Sequence, residues 1–226
     1  MEDLRREAEE HPLYDWFRQS KAADLSRIAI PTYIVASSTD QGLHTRGTLE
    51  RFKQMSSKQK WLEVHGRKKW AYFYEPGSVR RQQAFFDRLL NVIENEVPAW
   101  PKVRLEVPSA TTPARSVASE WPIARTAYTR LYLDARNSSL QREPFKVKAS
   151  CPYEAAYDSN GRVRFDFRFE RRTDLVGHMM LKMWMKPVGS DDMDVFVAVQ
   201  RLDAKGEVVP FAFYAQFEDG RSRWDG

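Results

Sequence analysis

Apolar and polar positions divide this chain into a first half of buried runs and helical stripes and a second half of strict alternation. The run Tyr33-Ile34-Val35-Ala36 is apolar on both faces, starts just after Pro31 and ends in Ser37-Ser38-Thr39-Asp40. A short apolar run between turn signals predicts a buried, parallel-type strand, and a proline at its first positions costs little. After Asp40 and Gly42, Thr45 or Thr48 can cap a helix carrying Leu49, Phe52 and Met55 at helical spacing. Trp61 to Val64 predicts the next strand, and His65-Gly66 turns the chain at its end. Pro76-Gly77 then interrupts the chain, and Ser78 can cap a long helix. Val79, Gln82, Phe86, Leu90 and Ile93 share one face of it, joined by Phe85 and Leu89. Two successive strand-helix units predict an α/β arrangement.

Residues 97–126 are rich in proline (Pro98, Pro101, Pro108, Pro113 and Pro122), and helical character stops there. Beyond lies a β pattern. Val103, Leu105 and Val107 alternate, as do Leu131 and Leu133; Val163, Phe165, Phe167 and Phe169 alternate with charged residues. Asn160-Gly161 predicts a hairpin turn ahead of that strand. Met179, Leu181, Met183 and Met185 form a further alternating row, and Val195 to Val199 predicts a central strand. Asp203-Ala204-Lys205-Gly206 predicts a turn before Pro210 to Tyr214. Such spacing predicts a β-sandwich of jelly-roll type. The expected fold class is therefore α/β plus all-β. The boundaries are residues 1–97 (partial α/β domain), 98–126 (Pro-rich linker and first sandwich strand) and 127–226 (an incomplete sandwich).

Composition narrows the functional classes. Of 226 residues, 42% are hydrophobic and 13% aromatic, enough for a packed core. Lys and Arg number 36 against 31 Asp and Glu, giving +5 and a pI near 9.3. The basic residues are scattered among acids rather than clustered, so no nucleic-acid partner is expected. No apolar run approaches the roughly 20 residues that span a bilayer, and Met1 to Glu7 is charged rather than signal-like, so no membrane partner is expected and a cytoplasmic location is favoured. Cys151 is the single cysteine, which excludes an intrachain disulfide and a zinc cluster. The methionines of residues 179–185 are expected as core filler and not as metal ligands. Neither a cofactor nor a metal is expected.

The order of strand, acid-bearing turn, helix, strand and His-bearing turn from Ile28 to Trp70 is the order in which an α/β hydrolase places its triad acid and base. Further stretches extend the likeness. They are His11-Pro-Leu-Tyr-Asp-Trp-Phe17, Asp24-Leu-Ser-Arg-Ile28, Ser38-Thr-Asp-Gln-Gly-Leu-His-Thr-Arg-Gly47 and Lys60-Trp-Leu-Glu-Val-His-Gly-Arg-Lys-Lys-Trp70. In the β half they are Val103-Arg-Leu-Glu-Val107, Glu120-Trp-Pro-Ile-Ala-Arg125 and Ser190-Asp-Asp-Met-Asp-Val-Phe-Val197. On these residues the chain resembles the family of X-prolyl dipeptidyl peptidases and cocaine-esterase-like (CocE/NonD) α/β hydrolases with a C-terminal jelly roll.

The resemblance implies hydrolysis of a small ester or peptide substrate through an acyl-serine, with the sandwich over the active-site mouth. It implies Asp40 as the triad acid, a role compatible with capping the following helix. By position His65 is the base, but many members of the family carry that histidine later, in a slot that falls near Lys69 here. His65 as base and His65 as structural histidine both stand at this point. His44 is the rival imidazole, expected to order the acid turn, and His178 is expected as a partly buried surface histidine.

No Gly-x-Ser-x-Gly occurs in the sequence, and Ser57-Lys58-Gln59-Lys60 fits Ser-x-x-Lys without its companion motifs. The chain is therefore expected to be a fragment of a serine hydrolase, carrying acid and base but no nucleophile and inactive by itself. The alternative is a non-catalytic β-sandwich binding module with a vestigial hydrolase part. Self-association through exposed sheet edges is a further expectation.

Overall fold

In the computed structural model of the protein, residues 3–39, 44–107, 114–156, 158–159 and 161–209 are described. The elements are α1 (Leu4–Glu10), α2 (Trp16–Lys21), β1 (Thr32–Ser37), α3 (Thr45–Gln54), β2 (Lys60–His65), α4 (Lys69–Phe73) and α5 (Pro76–Leu89). They continue with β3 (Val103–Val107), β4 (Ala114–Ala118), β5 (Tyr132–Asp134) and β6 (Ser139–Gln141). Two compact units divide the chain: residues 1–121 with 183–226, and residues 122–182.

The first unit contains a mixed sheet in the order β1-β2-β3-β4. β1 and β2 run parallel with Ser37 level with His65, and β2 and β3 run parallel with Glu63 level with Arg104. β4 closes the sheet antiparallel to β3. The buried runs of the sequence make its centre: Ile34, Ala36, Leu62, Val64, Val103 and Leu105 are all buried. The opposite parity carries Trp61, which packs with Phe85, Val97 and Trp100, flanked by Tyr33, Ala84 and Leu89.

Helix α3 buries Phe52 and is followed by buried Met55. Neither Thr45 nor Thr48 caps it as expected. His44 stands at the N-cap without a side-chain bond. The Thr45 hydroxyl instead donates to the Ser37 carbonyl at 2.6 Å, tying the helix start to the end of β1. At the other end the Lys60 ammonium donates to the carbonyls of Phe52 (2.8 Å) and Met55 (2.7 Å). A cation is favourable there, where helix carbonyls lack intrahelical partners.

Helix α5 begins with Pro76 in its first turn, after Glu75 as N-cap; Ser78 is buried within the helix rather than capping it. The buried stripe differs from the expected one. Ser78 and Phe85 face inward, whereas Val79, Phe86, Leu90 and Ile93 are exposed. The adjacent apolar pairs Phe85-Phe86 and Leu89-Leu90 allow two stripes about 100° apart. Tertiary packing against Trp61 selects the one through Phe85.

The Pro-rich region is largely built into the first unit. Val97 and Trp100 are core residues, and Val103–Val107, expected as the first sandwich strand, extends the parallel sheet. Unit 2 holds the β5-β6 hairpin, where Leu133 pairs with Leu140 and Ser138 in the turn takes φ +56°. Its Asp134 is buried and holds Arg136 through a two-point ion pair. From residue 142 onward the described residues form no strand. Asp166 makes one isolated bridge to Ser139, and Leu202 one to Val208 around the Asp203 turn. The turn itself is as expected: Asp203 accepts from the amides of Lys205 (2.8 Å) and Glu207 (2.9 Å). The rows around Met179–Met185 and Val195–Val199 are exposed and unpaired as strands, against the expectation. Asn160 and residues 210–214 lie outside the described residues.

Candidate active site around His65

Because β1 and β2 are parallel, their carboxyl ends lie side by side, and both sequence-predicted turns leave from that edge. The Ser38 amide donates to the His65 carbonyl at 2.7 Å, and the Ser38 hydroxyl to the same oxygen at 3.1 Å. The Ser37 hydroxyl donates to the Arg67 carbonyl at 2.7 Å and is 2.9 Å from the Thr39 hydroxyl. The turn after β2 is thus stitched to the segment that leads into Asp40. Asp40 itself lies outside the described residues.

His65 is 1% exposed. Its Nδ1 accepts the Arg67 backbone N–H at 3.1 Å, so the ring proton sits on Nε2. Nε2 is buried and has no hydrogen-bond partner among the described residues. The imidazole lies on the Tyr72 ring, with centroids 3.8 Å apart and planes 20° apart. Burial, together with the Arg67 charge, pushes the imidazole pKa down to about 4, so the ring is neutral at pH 7.

Strand parity places Glu63 on the face of His65, two residues before it. Glu63 is 7% exposed and receives hydrogen bonds from the Tyr33 and Tyr72 hydroxyls and from Arg81 Nε at 3.0 Å. Burial raises its pKa, but the two phenols and the Arg81 charge outweigh that and leave it below the ordinary carboxylate range. Burial beside this carboxylate raises both phenols well above the usual tyrosine range. Arg67 forms ion pairs with Glu75 and Glu106, and its guanidinium stands 4.5 Å from the Tyr72 ring centroid.

The sequence reading missed this second layer. Its signal was a charged residue, Glu63, at the centre of an otherwise apolar strand, which demands buried partners. Of the other candidates, His44 is exposed at the start of α3, and His178 is exposed. Ser57 is buried, and its hydroxyl donates to the Gln59 carbonyl. Among the described residues no group of three or more His, Cys, Asp or Glu is placed to hold a metal ion, and no helix is long and apolar enough to cross a membrane.

Comparison with known proteins gives the site its context. No curated protein matches the chain. Residues 95–220 match the family model described as the X-Pro dipeptidyl-peptidase C-terminal non-catalytic domain. Among solved structures, a CocE/NonD family hydrolase from Staphylococcus aureus is similar at 37% identity and a TM-score of 0.72 over 75% of this chain. A 1.95 Å crystal structure of that hydrolase gives 38%, 0.69 and 73%. The chain spans 31% and 30% of those two structures. The chain therefore belongs to the X-Pro dipeptidyl-peptidase and CocE/NonD hydrolase family.

Proposed function

We propose that this chain supplies the acid and the base of an acyl-serine hydrolase acting on small esters or X-Pro peptides, the serine lying outside these 226 residues. Asp40 is the acid, His65 the base, and residues 127–226 contribute a jelly-roll sandwich. The observation that carries this reading is the register of β1 and β2, which sets His65 directly beside the strand end that leads to Asp40. In the serine triad the acid accepts a hydrogen bond from the imidazole Nδ1–H and Nε2 takes the serine proton; in His65 the two nitrogens have exchanged these roles. The buried Nε2–H of His65 is the nitrogen open to an acid, while Nδ1 is held by the Arg67 amide. Proton uptake at Nδ1 therefore requires that amide bond to open.

The test is labelling with a fluorophosphonate, which reacts with activated serines. The 226-residue chain should remain unlabelled. A longer polypeptide carrying these residues with a Gly-x-Ser-x-Gly segment should label, and His65→Ala or Asp40→Asn should slow labelling by 10³-fold or more. Labelling of the short chain, or labelling indifferent to His65, contradicts the reading. A second reading, a non-catalytic binding module, is favoured by the description of the matched family model as non-catalytic. It would be upheld if the longer polypeptide fails to label.

A further inference from the structure

We propose that Tyr72 is the positioning residue of His65, its ring anchored at the hydroxyl by Glu63 and Arg81 so that the imidazole is held against it. The proposal rests on the base role given to His65 above. Its ground is what touches the ring. Among the described residues the buried His65 imidazole has one hydrogen bond, from the Arg67 amide to Nδ1, and one stacked ring, that of Tyr72 at 3.8 Å, itself 2% exposed. One hydrogen bond does not set a ring plane, whereas a stacked neighbour restrains it directly.

Packing alone would be met by phenylalanine, yet the Tyr72 hydroxyl is engaged twice. It donates to Glu63 Oε1 and accepts from the Arg81 guanidinium at 2.6 Å. Arg81 also donates to Glu63 Oε2, which takes the Tyr33 hydroxyl as well. Every member of this set is tied to two others or to the strand next to His65, so the Tyr72 hydroxyl, and with it the long axis of the ring, cannot shift without breaking a charge-assisted bond. β1, β2, α4 and α5 each contribute one residue: Tyr33, Glu63, Tyr72 and Arg81. The charged groups near the imidazole are Glu63 on its own strand, Arg67 in the turn, Arg81 on α5, and Glu75 and Glu106 through their ion pairs with Arg67. This arrangement keeps the imidazole neutral and in one orientation, the two properties a base needs before substrate arrives.

The test is NMR of the full chain with nitrogen-labelled histidine, following the His65 ring nitrogens across pH. In the parent protein Nδ1 and Nε2 should give well-separated signals of a single tautomer. Tyr72→Phe keeps the stack and should bring the two signals together part of the way. Arg81→Met should do the same, Arg81→Lys should restore most of the separation, and Tyr72→Leu should average the two signals and raise the His65 pKa by about one unit or more. His65 signals that are unchanged in folded Tyr72→Phe and Arg81→Met overturn the proposal. These two variants decide the matter if Tyr72→Leu does not fold. Changed signals here together with His65-independent labelling in the fluorophosphonate experiment would reject the base role while leaving the clamp intact.

Discussion

The sheet of the first unit and the segment from residue 142 to 209 carry equally apolar strand patterns and meet opposite fates. Leu62 and Val103 are 1% and 0% exposed, whereas Trp184 and Phe196 are 99% and 95% exposed. The difference lies in where each pattern finds its partner. In β1-α3-β2 the strand, its neighbour and the covering helix follow one another within 34 residues, so hydrogen bonds and burial close locally. A sandwich strand needs a neighbour on each side and a second sheet across the core, and these come from distant parts of a chain. A local unit completes itself; a non-local one exposes its apolar face until its distant partners pair with it.

The largest expected consequence is association. The exposed row Met179, Leu181, Met183 and Trp184, with Val195 to Val199, should make the protein self-associate at micromolar concentration. Replacing Leu181 and Met183 by lysine should shift sedimentation toward monomer. A parent protein that sediments as a monodisperse monomer would break the comparison at its root.

Next comes the cost of cavities. Leu62→Ala should destabilise the protein by about 2–5 kcal/mol in urea unfolding. Phe196→Ala, at an exposed position, should stay within about 0.5 kcal/mol. Similar losses for the two would show that Phe196 is packed and that the regions do not differ.

What could be read from the residues follows the same division. The buried runs at Tyr33 and Trp61 and the breaks at Pro31, Gly66 and Pro76 were legible because period, length and punctuation agree locally. The buried stripe of α5 was not, since doubled apolar pairs leave two faces equally apolar and only contact with Trp61 and Trp100 decides. His65 stood out by its place after a strand. Its supporting layer did not, because Tyr72 and Arg81 lie 7 and 16 residues away and meet Glu63 only through the turn of α4 and α5.

The third expectation concerns pH. The His65 pKa lies near 4 in the folded state and about 6.5 in an unfolded chain. Between those values the unfolded chain binds a proton that the native one does not, so stability rises with pH across that window. Acidifying from pH 7 to 4 should remove on the order of 3 kcal/mol. Glu63, held below the ordinary carboxylate range, adds its loss at lower pH still. Urea midpoints measured from pH 7 to 4 should show this slope, and His65→Asn should flatten it. An unchanged slope in that variant would place the titration elsewhere.

The smallest effect should come from polar contacts. Lys60→Met removes the ammonium from the carbonyls of Phe52 and Met55 and should cost about 1 kcal/mol. Asp166→Ala breaks a pair with Arg164 that is half exposed on both sides and should leave the thermal midpoint essentially where it was. A reversal of that order, read from thermal midpoints, would contradict the contrast between the two regions.

The central claim is that Asp40 and His65 act as an acid–base pair. Its most direct measurement is the His65 pKa by nitrogen-labelled histidine NMR in the parent chain and in Asp40→Asn. An anion within about 4–6 Å favours the imidazolium. The account therefore predicts that the variant lowers the His65 pKa by about one unit or more and shifts the Nε2 signal. An identical titration and an unmoved Nε2 signal in the folded variant would contradict it.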